Sequence, residues 1–219
     1  MAKAQKTTAA KKAAPIKQVA AIEDGTADIE AGEPATFKSF GKGDGDHPGF
    51  AFTRYWWEGE GLREGITPWV LKKLRLGDDP VFGQAARAEV LLPPTAPADY
   101  ADCAFLLKRF DETRPSFEKH AMVQAKLSLD PSEPWHVGYE RARGFVRAHF
   151  AVRFPVILVA HVPGVAGLEG YGNHVHCIVL PRPVTINGLG GTCHRLCSDR
   201  GYNEALEAWQ RHVAKETAA

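Results

Sequence analysis

The sequence lacks any run of about eighteen apolar residues, which excludes a helical membrane span. Its longest apolar stretch, Phe154 to Val162, has the length of a strand and is interrupted by Pro155. The N-terminus has no apolar core of the signal-peptide kind, so a cytoplasmic location is expected. Cysteine is scarce. Cys103, Cys177, Cys193 and Cys197 are too few and too irregularly spaced for the disulfide framework of a small exported domain, and they read as thiols. An excess of charge of either sign is missing too. A net charge of +1 gives no global field to draw in a polyanion, which excludes an architectural nucleic-acid coat and leaves any such contact to local patches. No internal repeat is present.

With 219 residues, 44% of them hydrophobic and 24% charged, the chain has apolar material for one ordinary domain. Residues 1–36 stand apart, with five lysines before Val19 and then five acids from Glu23 to Glu33. Charge without apolar periodicity predicts a disordered tail. Residues 37–219 form the expected domain. Within it, glycine-rich turns from Gly41 to Gly49 lead into a strand over Phe50 to Trp57, broken by Glu58 to Gly65. Trp69 to Leu76 has helical character, and consecutive prolines make Leu91 to Pro97 a loop. A helix is expected from Asp99 to Phe110.

The second half is more regular. His120 to Leu129 alternates, with Ala121, Val123, Ala125, Leu127 and Leu129 on one side and His120, Gln124, Lys126 and Ser128 on the other, the period of a half-buried strand. Ser132-Glu133-Pro134 starts a helix in which Trp135, Tyr139, Ala142, Val146 and Phe150 share a face, ending near Arg153. Phe154 to Val162 is apolar on both faces, as a central strand is, and His174 to Leu180 reads as the strand that returns beside it. A turn-rich stretch to Asp199 precedes a helix over Glu204 to Val213. The fold class is therefore α+β, an antiparallel sheet flanked by helices, with its functional site expected on an open face.

Alternation on a strand sends His174 and His176 to the same side, two residue rises apart. Twelve residues separate His161 from His174, so an antiparallel return brings it beside the pair. An isolated His-x-His is common in strands, and the third histidine gives the pattern its weight. Three neutral imidazoles on a rigid sheet are a metal-ligand set with coordination positions left open, the design of a catalytic site. Nitrogen donors suit Mn²⁺, Zn²⁺ or Ni²⁺ better than Mg²⁺, but availability governs occupancy. Mn²⁺ or Mg²⁺ is expected in function, with Zn²⁺ and Ni²⁺ as alternatives. Cys193-His194-x-x-Cys197 has no matching second pair and is assigned no role.

The segment Pro155 to Arg182 resembles the MobA/MobL plasmid mobilisation relaxases of the HUH endonuclease class: a strand ending in Val159-Ala160-His161, a loop, then Asn173-His174-Val175-His176-Cys177 running on to Arg182. With the strand from His120 and the helix from Trp135, the likeness extends over about Glu118 to Val213. It implies a histidine-bound divalent cation that grips the scissile phosphate of a transfer origin in single-stranded DNA. A tyrosine attacks, leaving a 5′-phosphotyrosine and a free 3′ hydroxyl, and the stored phosphoester makes the cut reversible.

A free tyrosine, with a pKa of about 10, is a poor nucleophile, so the cation must stabilise its phenolate. Tyr55 is the expected nucleophile because it lies early in the domain, between Arg54 and Trp56-Trp57. Arginine can hold phosphate and tryptophan can stack an unpaired base, which makes Arg54, Trp56, Trp57 and Arg182 the expected DNA contacts. Tyr171 is the reserve nucleophile. Accessory mobilisation or coupling proteins are the further partners the likeness implies, and with no helicase or primase domain a nicking module is expected. Val162-Pro163 and Asn173 stand where the pattern has an acid and a proline, with Glu169 a substitute acid. A DNA-binding or plasmid-maintenance paralogue without turnover is the second reading. A histidine-triad nucleotide hydrolase is the third, weakened by Ile178 where a third alternating histidine is required.

Overall fold

Apolar residues occupy both faces of the inner strands, and each face builds a core of its own. The computed structural model describes residues 37–42, 47–57, 65–74, 85–163 and 172–217. The tail 1–36, the break over 58–64, Glu169 and Tyr171 lie outside the described residues. Strands β1 (Phe37–Lys42) and β2 (Phe50–Trp57) precede helix α1 (Thr67–Leu74) and strand β3 (Ala85–Leu91). A 3₁₀ turn (Ala98–Ala101) leads into α2 (Cys103–Glu112), β4 (His120–Ser128), α3 (Trp135–His149), β5 (Val156–His161) and β6 (His174–Val179). The small pair β7 (Val184–Thr185) and β8 (Gly188–Leu189) comes before α4 (Asp199–Thr217). Among the described residues no helix is long and apolar enough to cross a membrane.

Six strands form one sheet in the order β1-β2-β4-β6-β5-β3, every neighbouring pair antiparallel. On one face Val123, Ala125, Leu158, Val175 and Cys177 pack against Tyr139, Phe145 and Val146 of α3 and Ala205 and Leu206 of α4. On the other, Met122, Ile157, Val159 and Ile178 pack against Val70, Leu71 and Leu74 of α1 and Leu106, Leu107 and Phe110 of α2. Helices thus cover both faces, and this corrects the expectation of an open face beneath the histidines. Burying both faces of β5 and β6 removes more apolar surface from water than a one-sided sheet could, at about 25 cal/mol per Å².

Helix α1 is seated by a contact distant in sequence. Asp111 of α2 accepts from the Ile66 N–H at 2.9 Å and from the Thr67 hydroxyl at 2.7 Å, tying the start of α1 to α2. A side chain on Gly65 would run into that carboxylate and force it out of place. This fixes the far end of α1, where Lys73 reaches the sheet.

Candidate metal centre

Strand register brings the three histidines together. His161 lies directly opposite His174, and Val159 opposite His176, so the rings of His161, His174 and His176 all project from one face of the β5–β6 pair. Their centroids are 5.1 Å (His161–His174), 4.7 Å (His161–His176) and 4.8 Å (His174–His176) apart. One ring nitrogen from each can be chosen so that all three lie within 4.8 Å of one another. His161 and His176 are each 5% exposed.

Hydrogen bonds orient two of the rings. Nδ1 of His174 is 2.9 Å from the Gly172 carbonyl, and Nε2 of His161 is 3.3 Å from the Lys73 carbonyl. A carbonyl only accepts, so these nitrogens carry the protons and leave the lone pair on the other ring nitrogen. Nδ1 of His176 is buried with no hydrogen-bond partner. An orphaned imidazole nitrogen among two more imidazoles is a donor set that fits a borderline divalent metal.

Burial pushes all three imidazoles below the ordinary histidine range, helped by mutual repulsion and by Lys73 and Lys126. His161 falls to about 4, His174 is lowered and His176 lies well below its usual value. Neutral rings, the form that binds metal, therefore prevail at neutral pH. In the metal-free protein the unfolded chain takes up these protons before the folded one does. Stability is complete above the unfolded value near 6.5 and is lost as pH falls toward 4. Acidifying to pH 5 is expected to cost about 2 kcal/mol from His161 alone. Urea unfolding of chelator-treated protein at pH 7 and pH 5 measures this, and His161→Gln should remove its own share while those of His174 and His176 remain.

Two lysines border the cluster. Lys126 of β4 pairs with His176 across β4–β6, and Lys73 ends α1 beside His161. Burial, then Lys72 and Lys126, lowers the Lys73 pKa, so positive charge is concentrated here. Beside a metal this suits an anionic ligand. Neither lysine was singled out from the sequence. Lys126 had a signal, its place on the polar side of an alternating strand, whereas Lys73 had none.

The other expected site residues lie elsewhere. Tyr55 shares the histidine face but pairs with Met122, four residues along β4 from Lys126. With two strand spacings added, that places it about 16 Å from His176. Its ring packs on Trp69 at 5.1 Å and Phe37 at 6.0 Å, and burial raises its pKa. Arg54 is bound to Asp199 of α4 at 3.0 Å, on the opposite face. Trp56 packs on Phe40 at 4.7 Å, and Trp57 is a core residue with the Arg114 guanidinium 4.2 Å from its ring. Arg182 is buried and donates to Gly190 O, Thr113 Oγ1 and Leu189 O. All four are engaged within the protein.

No protein-family model and no curated protein matches the chain. A solved structure, from work on the molecular basis of vancomycin resistance transfer in Staphylococcus aureus, superposes with a TM-score of 0.51 at 17% sequence identity. The match covers 61% of this chain and 72% of that one. At this identity the likeness establishes a shared fold.

Proposed function

We propose that the chain is a divalent-metal-dependent enzyme that nicks and rejoins single-stranded DNA at a plasmid transfer origin. The observation that carries this reading is the set of three neutral histidines on adjacent strands, His161 and His176 buried and His174 half-buried, with Lys73 and Lys126 at their border. His161, His174 and His176 would hold the cation. When bound, it supplies a Lewis acid that polarises a phosphoryl oxygen and stabilises a phenolate. The two lysines would draw the phosphodiester to the same end of the sheet. The association of the structural neighbour with resistance transfer supports a place in the movement of DNA between cells.

In the reaction, a tyrosine oxygen bonds to phosphorus as the P–O3′ bond breaks. The tyrosine proton is released, the 3′ oxygen takes one up, and the exchange reverses on rejoining. Tyr55 is the proposed nucleophile, and it must leave its packing against Trp69 and Phe37 to reach the histidines. Tyr171, next to the His174 strand in sequence, is the alternative.

The test is incubation with Mn²⁺ and labelled single-stranded oligonucleotides carrying candidate origins, read on a denaturing gel. A covalent protein–DNA adduct is expected, abolished by either Tyr55→Phe or Tyr171→Phe, whichever residue attacks. Stoichiometric metal binding without adduct from any oligonucleotide would favour a DNA-binding paralogue without turnover. The distance of Tyr55 from the histidines is what supports that second reading.

A further inference from the structure

A second histidine cluster forms where β4 begins. Strict alternation would send His120 to the face of Gln124 and Lys126. A β-bulge at Tyr55/Trp56 intervenes. Ala121 and Met122 both enter the core beneath α1 and α2, and the His120 ring is turned to the other face, 5.2 Å from Trp56. Re-aiming a side chain is a recurrent consequence of such bulges.

There His120 meets Glu118 and His194. Nδ1 of His120 is 2.8 Å from Glu118 Oε1, and Nε2 of His194 is 3.4 Å from Oε2. The two imidazoles are 4.9 Å apart, and one donor atom from each residue lies within 4.8 Å of the others. Glu118 is 6% exposed. Its Oε1 also accepts from the His120 N–H at 2.9 Å, which fixes the carboxylate between the two rings. A buried carboxylate held between two imidazoles is a strong cation ligand.

The Cys193-His194-x-x-Cys197 run contributes only its histidine, since Cys197 is buried in the core and Cys193 packs against it. The His194 side chain is 69% exposed, which gives an ion an entry path and leaves room for water.

We propose that Glu118, His120 and His194 form a second divalent-metal site, of zinc type, which clasps the turn before α4 to the start of β4. Two imidazoles and one carboxylate are a donor set that zinc accepts with a fourth position open. The site lies on the opposite face of the sheet from His161, His174 and His176, so the two can be removed independently. The full chain, stripped with chelator, is titrated with Zn²⁺ alone, and bound metal is counted by equilibrium dialysis.

Wild type is expected to hold two equivalents, His194→Ala one, His176→Ala one, and the double variant none. His194 is exposed, so its replacement leaves the fold intact. Glu118→Gln, which keeps the shape of the buried group, should match His194→Ala. Two equivalents retained in His194→Ala would overturn the proposal. So would a single wild-type equivalent lost with His176. A single equivalent that survives His176→Ala and disappears in His194→Ala would support the second site while removing the first.

Discussion

The His176→Ala protein is expected to fold, to lose metal at the first site and to form only a trace of covalent adduct with single-stranded DNA. The fold should survive because wild type already leaves Nδ1 of His176 buried and unpaired. Truncation removes that cost and adds a small cavity, so the two terms offset to within about 1 kcal/mol. The effect on metal is large. With Mn²⁺ at a hundredfold excess over its dissociation constant, wild type gains about 2.7 kcal/mol, or roughly 5–10 °C in melting temperature for a domain of this size. His176→Ala should show no such gain, and comparison in a His194→Ala background excludes any contribution from the Glu118 cluster. Loss of Lewis-acid stabilisation should slow adduct formation by about a thousandfold. An adduct formed at the wild-type rate by a variant that binds no metal would refute metal dependence.

The histidine arrangement was legible in the sequence because two periodicities fix it. Alternation decides the face of His174 and His176, and the twelve-residue return leaves few registers that bury both apolar strands. The observed register, His161 opposite His174, satisfies them. The α+β class and the elements around Phe50, His120, Trp135 and Val156 were legible for the same reason.

Strand β3 was not, because its residues favour helix. Ala85, Ala86, Arg87 and Glu89 form an edge strand held by partners from elsewhere: Glu89 accepts from Tyr139 at 2.6 Å and Arg143 at 2.7 Å, and Arg87 pairs with Glu140 at 2.8 Å. Tertiary contacts override propensity at such positions. Helices α1 and α2 were legible as helices, but their stacking as a second layer was not. Its anchor, Asp111 against Ile66 and Thr67, spans more than forty residues and has no local signature. The bulge that turns His120 away from Gln124 and Lys126 lies opposite Tyr55 and Trp56, and alternation within β4 alone cannot reveal it.

Arg182→Ala is expected to lower the stability of the domain by about 2–4 kcal/mol while leaving single-stranded DNA affinity unchanged at temperatures where the variant is folded. The resemblance casts Arg182 as a phosphate contact, but the residue is 6% exposed and its guanidinium is spent on acceptors within the protein. Nε donates to Gly190 O at 2.7 Å, one terminal nitrogen to Thr113 Oγ1 at 2.9 Å and the other to Leu189 O at 3.3 Å. These bonds tie the end of α2 to the β7–β8 pair, and the Phe110 ring lies 5.7 Å from the guanidinium. Truncation leaves two half-buried carbonyls and the exposed Thr113 hydroxyl to find water, each lost bond costing about 1 kcal/mol, and opens a cavity beside Phe110. Arg182→Lys should recover less than half of the loss, because an ammonium on a single stem cannot reach three acceptors in the plane of a guanidinium. Thermal melts should therefore show a fall of at least about 4 °C for the alanine variant. If the melt is unchanged while DNA binding weakens and its salt dependence becomes shallower, Arg182 spends its charge on phosphate and the buried contacts are incidental.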